Sequence, residues 1–293
     1  MNKEVISVLT IKAYAKINLF LNVVGVKENG YHDLEMVNAK IDMADILRFE
    51  ETFNQPVVVI KSNDLFLEKE GNLLYKVAHF MMNYYVLGKS IQITVEKNIP
   101  PGAGLAGNST DAAAIIKGLN ELFDLDLSNS QMEQIGSKFG ADIPYCLYDQ
   151  PAIVKGIGDI IEFVKLPLDN CKVLVVKPQV FLKTEDVFHL GDQIGFDQSD
   201  LMPMIDAINT QDQKAFIASM KNSLEKPSFE ISPETKATKT LVCEELGCDG
   251  VIMSGSGSTI LKVSQAKMND FSAFFEKYVN KYMIFQANIV NKE

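Results

Sequence analysis

The chain has 293 residues, 47% hydrophobic and 23% charged, which is the composition of an ordinary globular protein with one large or two average domains. Its 38 acidic and 28 basic residues give a net charge of −10, which argues against nucleic acid as a partner because phosphate backbones require a basic surface. No apolar run approaches the roughly 18–20 residues of a membrane-spanning helix, and the first residues lack the apolar core of a signal peptide. We therefore expect a cytoplasmic protein with no membrane partner.

The cysteines and histidines indicate neither a disulfide framework nor a metal centre. Cys146, Cys171, Cys243 and Cys248 lack C-x-x-C spacing, so we expect four reduced thiols. The three histidines are too few and too dispersed for a histidine-based metal site.

The first 65 residues are predicted to be mostly strands. Polar and apolar residues alternate between residues 11 and 24, and Asn29-Gly30 supplies a hairpin turn. The alternation returns over 45–50 and over 56–61. This part of the chain therefore reads as strands joined by tight turns.

Helices and strands alternate in the middle of the chain. Helical segments are recognised by apolar residues on one face, and Ser128 with Gln131 forms a capping box. The predicted elements are a helix over 72–86, a strand over 91–96, a helix over 111–123, a helix from the capping box to Gly140, and a strand over 151–164.

From about residue 170 the pattern is that of a second domain. Ser232 and Pro233 predict the N-cap and first residue of a helix that ends near Gly247. The element order is β-α-β-β-α-β with extra helices in the first crossover, which is typical of a ferredoxin-like fold. We therefore predict an α+β protein with an N-terminal domain over 1–165 and a C-terminal domain over 166–293. The C-terminal elements are strands at 172–177, 249–254, 259–263 and 281–289 and a helix near 267–279.

A glycine-rich loop, Gly102 to Gly107, fits the dinucleotide fingerprint G-x-G-x-x-G. That fingerprint should follow a strand directly and have an acidic residue at the end of a second strand about 20 residues later. Pro100 and Pro101 separate this loop from its strand, and the residues near Asp124 begin another helix. The P-loop of the Walker type is excluded as well, because it needs a lysine where Asn108 stands.

The loop can still bind phosphate through backbone N–H groups and the N-terminus of the following helix, with Mg²⁺ assisting. Ser109, Thr110 and Asp111 stand where hydroxyl and carboxylate groups could reach phosphate or metal. Capping of the helix is the alternative role for each of them.

Three motifs resemble those of the GHMP kinase superfamily. Residues 15–21 resemble its N-terminal motif, residues 101–114 its central ATP-binding motif, and residues 253–259 its C-terminal glycine-rich motif. The resemblance implies a ribosomal-protein-S5-domain-2-like N-terminal domain, a ferredoxin-like C-terminal domain, and ATP with Mg²⁺ as the phosphoryl donor. It implies ATP contacts from Pro101, Gly102, Ala103, Gly104, Leu105, Ala106, Gly107, Asn108, Ser109 and Thr110.

Within that superfamily the chain resembles the kinases that phosphorylate 4-diphosphocytidyl-2-C-methyl-D-erythritol in non-mevalonate isoprenoid synthesis. The residues that carry this resemblance are 30–34, 140–144 and 151–158. A cytosine needs an aromatic face and directional hydrogen bonds, which Tyr31 and His32 could supply. The resemblance also implies substrate contacts from Asn18, Thr184 and Phe188, although Phe188 also fits the apolar face of a helix.

The resemblance assigns the catalytic roles to Asp142 and Lys16. Asp142 would accept the proton of the substrate hydroxyl, and Lys16 would pair with Asp142 and stabilise developing charge. Ser109 and Asp111 are the candidate metal ligands.

The motif departs from the family at Ala106 and Asn108, where glycine is usual, and at residues 36–39, which replace the usual Thr and Gln. Two other functions therefore stay open: a GHMP kinase for a mevalonate-type substrate or homoserine, and a nucleotide-binding paralogue without turnover. The partner is a small molecule in each case, and both monomer and homodimer are compatible with the sequence.

Overall fold

The computed structural model describes residues 8–28, 30–53, 57–86, 88–265 and 271–290. The chain forms two compact units. Two long strands, β1 (Val8–Val26) and β2 (His32–Thr52), contribute residues to both units. Unit 1 holds residues up to Ala15, Met43–Pro100 and Ala106–Tyr148; unit 2 holds Lys16–Asp42, Pro101–Leu105 and the chain from Asp149 onward.

Unit 1 combines a sheet with helices that pack on one another. The end of β2, from Ile46 to Thr52, pairs antiparallel with β4, and β3 pairs parallel with β4. Buried side chains of α1 and α2, such as Val77, Met81 and Ile115, share one apolar core with the sheet. The elements are β3 (Val58–Ser62), α1 (Leu73–Tyr85), β4 (Ser90–Glu96), α2 (Gly107–Leu122), α3 (Asn129–Ser137) and α4 (Ile143–Cys146).

Unit 2 contains the predicted ferredoxin-like arrangement. Its strands β7 (Lys172–Lys177), β9 (Val251–Met253), β10 (Ile260–Ser264) and β11 (Met283–Val290) lie in the order β11-β7-β10-β9 with antiparallel pairs throughout. Numbered within the unit, that order is 4-1-3-2, as the sequence pattern predicts. The helices are α5 (Thr184–Ile194), α6 (Met202–Thr210), α7 (Gln213–Ser219), α8 (Glu225–Ile231), α9 (Pro233–Leu246) and α10 (Ser272–Tyr278).

Short strands attach to β1 and β2 in unit 2. The strand β8 (Lys221–Asn222) pairs parallel with β1 at Phe20 and Leu21. The strand β5 (Ala152–Gly156) pairs antiparallel with β2 and with β6 (Ile160–Phe163). The sequence prediction of one strand over 151–164 is therefore wrong, because the backbone turns at Gly156 and Gly158, which have φ values of +73° and +108°.

Local capping signals predicted from the sequence are confirmed. Ser128 and Gln131 form the reciprocal capping box that opens α3, and the Ser232 side chain accepts a hydrogen bond from the Thr235 N–H at the start of α9. The helix α3 ends at Ser137, before Gly140. The turn predicted at Asn29-Gly30 lies partly outside the described residues, since Asn29 is among those not described.

Two of the four cysteines are not the reduced thiols that the sequence predicts. Cys243, in the last turn of α9, is bonded to Cys248, so the prediction of four reduced thiols is wrong for this pair. The helix stops at Gly247, whose φ of +77° turns the chain back and leaves the two Cα atoms 4.3 Å apart. Cys146 and Cys171 are free and buried.

In the part of the chain that the structure describes, no helix is long and apolar enough to cross a membrane.

Candidate active site

The three motifs meet in unit 2 around Gly104. The Ser254 hydroxyl donates a hydrogen bond of 2.9 Å to the Gly104 carbonyl, and the Lys16 N–H donates one of 3.0 Å to the Leu105 carbonyl. The Asn18 N–H in turn lies 3.4 Å from the Ser254 hydroxyl. The central loop is therefore tied by its backbone to the first and third motifs.

Gly104 has no room for a side chain. A Cβ atom at this position would lie 2.2 Å from the Ser254 carbonyl oxygen and 2.9 Å from that of Gly257. Its φ is +68°, a conformation that glycine adopts without the steric cost paid by other residues. Glycine is therefore required here by close backbone approach as well as by backbone conformation.

The third motif is itself anchored by polar side chains. The Asn222 amide donates to the carbonyls of Met253 and Gly255, at 2.7 and 2.8 Å. The Thr184 hydroxyl, predicted to contact substrate, lies 2.9 Å from the Ser256 hydroxyl. Thr184 therefore joins the start of α5 to this motif.

Asn18 is buried on β1, next to Ser254 of the third motif. Its amide nitrogen donates to the Asn38 side chain at 2.7 Å, and both residues are almost fully shielded from solvent. The Asn18 Oδ1 atom is buried without a hydrogen-bond partner among the described residues. Asn18 therefore contacts the third motif through its backbone N–H, and its predicted contact with substrate stays a prediction.

The first residues of the loop differ in exposure. Pro101 is exposed, whereas Ala103 and Leu105 are buried and anchor the loop. Phe181, with 64% of its surface exposed, places its ring where a side chain on Gly102 would be, because a Cβ there would lie 2.0 Å from the ring.

The helix α2 begins four residues earlier than predicted, at Gly107, with Ala106 as its N-cap. Ala106 has a φ of +54° and a ψ of +30°, the left-handed conformation that costs a non-glycine residue about 1–2 kcal/mol. Asn108 lies inside the helix, so it needs no left-handed conformation. Ala106 forms no side-chain capping hydrogen bond, so within the described part of the chain the first N–H groups of α2 are available to an anion.

The alternative role of Ser109, Thr110 and Asp111, capping of the helix, is excluded because all three lie inside α2. The Thr110 hydroxyl donates to the Tyr14 carbonyl at 2.7 Å, which ties the helix to β1 within unit 1. Asn108 is exposed and Ser109 half-buried at the helix start. Their predicted contacts with ATP stay predictions.

A buried ionic cluster of Asp45, Lys97 and Asp111 lies beside the start of α2 in unit 1. The Lys97 ammonium forms an ion pair with Asp45 and lies 2.5 Å from an Asp111 oxygen, and neither carboxylate side chain is exposed. Asp45 also accepts hydrogen bonds from the N–H groups of Asn98 and Ile99. The cluster therefore joins β2, the end of β4 and α2.

The cluster shifts the pKa values of its members. Burial raises the pKa of the Asp111 carboxyl to about 8, and the charge of Asp45 adds to this although Lys97 opposes it. Burial by itself would lower the pKa of Lys97, but the two carboxylates raise it above its ordinary value. One ammonium between two carboxylates leaves one excess negative charge, so proton uptake by Asp111 makes the cluster neutral.

Asp111 is poorly placed as a metal ligand. One of its oxygens contacts the Lys97 ammonium, and the other is buried without a partner among the described residues. No group of three or more His, Cys, Asp or Glu in the described ranges could hold a metal ion. This arrangement favours a structural role for Asp111.

The two predicted catalytic residues belong to different units. Lys16 is buried on β1 in unit 2, with 4% of its surface exposed. Asp142 is half-buried in unit 1, directly before α4, and its side chain does not cap that helix. Their pairing stays a prediction.

The predicted base-reading residues gather at the start of β2. The His32 ring centroid lies 4.4 Å from that of Phe188 on α5 and 5.8 Å from that of Phe196. The His32 Nε2 atom lies 2.8 Å from an Asp192 oxygen. Tyr31, next to this group, has 58% of its surface exposed, so an aromatic face is open to solvent beside a fixed imidazole.

Residues 72–156 match the N-terminal domain of GHMP kinases, and residues 204–273 match the C-terminal domain of that family. A curated protein of Bacillus cereus (strain AH187), a 4-diphosphocytidyl-2-C-methyl-D-erythritol kinase, is 36% identical over 252 residues, covering 86% of each chain. The chain belongs to the GHMP kinase family.

Solved structures agree with this assignment. A crystal structure of 4-(cytidine 5'-diphospho)-2C-methyl-D-erythritol kinase aligns with a TM-score of 0.79 and 25% identity, over 97% of this chain and 100% of the other. The homoserine kinase of Cytophaga hutchinsonii aligns with a TM-score of 0.75 at 15% identity, over 100% and 98% of the chains, and shares the fold. This GHMP kinase therefore has the predicted two-domain α+β architecture, although the boundary near residue 165 stays a prediction. Membership of the family implies ATP-dependent phosphorylation.

Several residues of the site were not recognised in the sequence. Asp45 and Lys97 lie in strand-like or turn-like segments without a motif, and Asp192 and Phe196 follow Phe188 without a distinctive pattern. The spacing of Phe188 and Asp192 places them on one face of a helix, but this spacing alone does not distinguish a site residue from an ordinary surface carboxylate.

We expect Gly104→Ala to weaken ATP binding strongly and to lower stability, because the new methyl group would push the loop away from the Ser254 carbonyl. ATP affinity is measured by calorimetry and the free energy of unfolding by denaturant titration, with an expected loss of about 1–3 kcal/mol in stability. Gly247→Ala is the matched control, since Gly247 also has a positive φ but no atom lies within 4 Å of the position that its methyl group would take. Equal ATP affinities for the two variants would contradict this account.

We expect the contribution of Asp111 to the stability of the protein to fall with rising pH between about 4 and about 8. Asp111 has a higher pKa in the folded chain than in the unfolded chain, so the folded state binds the proton more tightly and its advantage is lost as the proton leaves. Asp111→Asn should flatten this dependence by something on the order of 1–3 kcal/mol between pH 5 and pH 8, measured by urea unfolding. Asp206→Asn, a change on the exposed surface of α6, is the control. Parallel curves for wild type and Asp111→Asn would refute the role given to the cluster.

Proposed function

We propose that this kinase transfers the γ-phosphoryl group of ATP to a hydroxyl of 4-diphosphocytidyl-2-C-methyl-D-erythritol, in the non-mevalonate route to isoprenoids. Its curated relatives at 36% identity carry the name of that kinase. A solved structure with a TM-score of 0.79 carries the equivalent name.

The observation that carries this proposal is the aromatic group around His32. An imidazole packed on Phe188, beside the exposed ring of Tyr31, offers both a stacking surface and a directional hydrogen bond. A pyrimidine base needs this combination. Mevalonate and homoserine contain no aromatic ring, so such a group would have no use in a kinase acting on them.

Phosphate binding is assigned to the loop and to the start of α2. The uncapped helix N-terminus offers backbone N–H groups and the positive end of the helix dipole. We assign residues 101–110 to ATP, with the N–H groups supplied by residues 102–109, since Pro101 has none and the Thr110 N–H donates to the Ala106 carbonyl. Ala103 and Leu105 contribute through their backbone because their side chains are buried.

The chemical step is the attack of a substrate hydroxyl oxygen on the γ-phosphorus. The new O–P bond forms while the bond to the ADP oxygen breaks, and Asp142 accepts the hydroxyl proton. Lys16 supplies a positive charge that stabilises the negative charge developing in the transition state. In this proposal Asn18 and Thr184 hold the third motif in place and contact the substrate.

Mg²⁺ accompanies ATP in this proposal and neutralises phosphate charge when bound. The Ser109 hydroxyl is the better candidate to approach it, because it is half-buried at the first turn of α2. Asp111 fits this role less well because it contacts Lys97.

We expect Asp142→Ala to lower kcat by about 10²–10⁴-fold, because it removes the proton acceptor. The assay follows ADP release from MgATP with the cytidylyl substrate, with mevalonate, and with homoserine. Asp206→Ala, on the exposed surface of α6, is the matched control and should keep the wild-type rate.

Each outcome of this assay distinguishes between the candidate functions or tests the role of Asp142. Turnover of mevalonate or homoserine in preference to the cytidylyl substrate would overturn the substrate assignment. ATP binding without turnover of any substrate would identify a non-catalytic paralogue. A wild-type rate in Asp142→Ala would remove Asp142 from the mechanism.

A further inference from the structure

Asp192 holds the imidazole of His32 through a contact with the ring atom Nε2. Its carboxylate lies 2.8 Å from the His32 Nε2 atom, and the histidine side chain is only 14% exposed. Phe188 and Asp192 are four residues apart on α5, so both side chains point from one face of that helix toward His32.

The packing around His32 depends on Gly191. A Cβ atom at this position would lie 2.0 Å from the ring of Phe196, so the ring occupies the space that any other residue would fill. Phe196 then meets His32 edge to face, with an interplanar angle of 78°. Two aromatic rings and one carboxylate together fix the orientation of the imidazole.

The hydrogen bond to Asp192 also selects a tautomer. A carboxylate accepts only, so in a neutral imidazole the proton must be on Nε2 and the lone pair on Nδ1. No other described residue forms a hydrogen bond with Nδ1. The Nδ1 atom of His32 is therefore a hydrogen-bond acceptor.

A hydrogen-bond acceptor at this position distinguishes cytosine from uracil. Cytosine carries an amino group, which donates, where uracil carries a carbonyl oxygen, which accepts. We propose that Asp192 is a positioning residue that keeps His32 as a hydrogen-bond acceptor and so selects cytidylyl over uridylyl substrates. This inference rests on the proposed function, because it specifies how the base of that substrate is read.

The test compares Asp192→Asn with wild type on the cytidylyl substrate and on its uridylyl counterpart. An asparagine can accept from Nε2–H or donate to Nε2, so it no longer dictates the tautomer. We expect the ratio of kcat/KM between the two substrates to fall about tenfold, through a higher KM for the cytidylyl substrate at nearly constant kcat. Asp186→Asn, an exposed change on the first turn of the same helix, should keep the wild-type ratio.

A second measurement is independent of turnover. Nitrogen-15 NMR distinguishes protonated from unprotonated ring nitrogens, and with three histidines in the chain a His32→Gln variant assigns the His32 signals. Wild type should show His32 protonated on Nε2 alone, and Asp192→Asn a mixture of tautomers. This result supports the positioning role even if the cytidylyl substrate is not turned over, which would refute the proposed function alone. An unchanged substrate ratio in Asp192→Asn, or a wild-type His32 protonated on Nδ1, would overturn the inference.

Discussion

The close approach of two backbones at Gly104 is the constraint on which the rest of the site depends. The Ser254 carbonyl occupies the space of a side chain at Gly104, while the Ser254 hydroxyl donates to the Gly104 carbonyl. Residues separated by 150 positions are thereby fixed to each other. The glycine-rich loop is thus held in place by contacts within the chain, and such preorganisation is what phosphoryl transfer requires of a protein.

The loop and the helix that follows it are stabilised by different physical means. In unit 2 the loop is held by neutral hydrogen bonds to β1 and to the third motif. In unit 1 the start of α2 is held by the buried cluster around Lys97, where one ammonium lies between two carboxylates away from water. The ionic cluster is sensitive to pH, whereas the neutral hydrogen bonds are not. Ala106, which precedes α2, adopts a left-handed conformation that glycine would adopt at lower cost.

The sequence predicts those parts of the fold that are encoded locally. The helix at 73–85, the capping box at Ser128 and the β-α-β-β-α-β order all follow from spacing and caps, and the structure confirms them. The start of α2 was missed because Ala106 takes a conformation that its residue type disfavours. The bond between Cys243 and Cys248 was missed because it depends on how the chain turns at Gly247.

The residues of the candidate site likewise divide into those that a local motif predicts and those that only tertiary contacts reveal. Its motif residues were recognised by resemblance, whereas Lys97, Asp45 and Asp192 became visible only through contacts with residues distant in sequence. Polar residues of this kind are common on surfaces, so their type and spacing alone carry little information. Their importance follows from burial and from partners, which the tertiary fold determines.

We propose that the phosphates of ATP bind at the start of α2 and that the pyrimidine of the substrate binds at His32. A crystal structure of the protein with a non-hydrolysable ATP analogue and the cytidylyl substrate tests it most directly. We expect the β- and γ-phosphates to contact N–H groups of residues 102–109, and the cytosine to stack on Tyr31 or Phe188 with its amino group at the His32 Nδ1 atom. A cytosine bound away from His32, or phosphates bound away from this loop, would contradict the account.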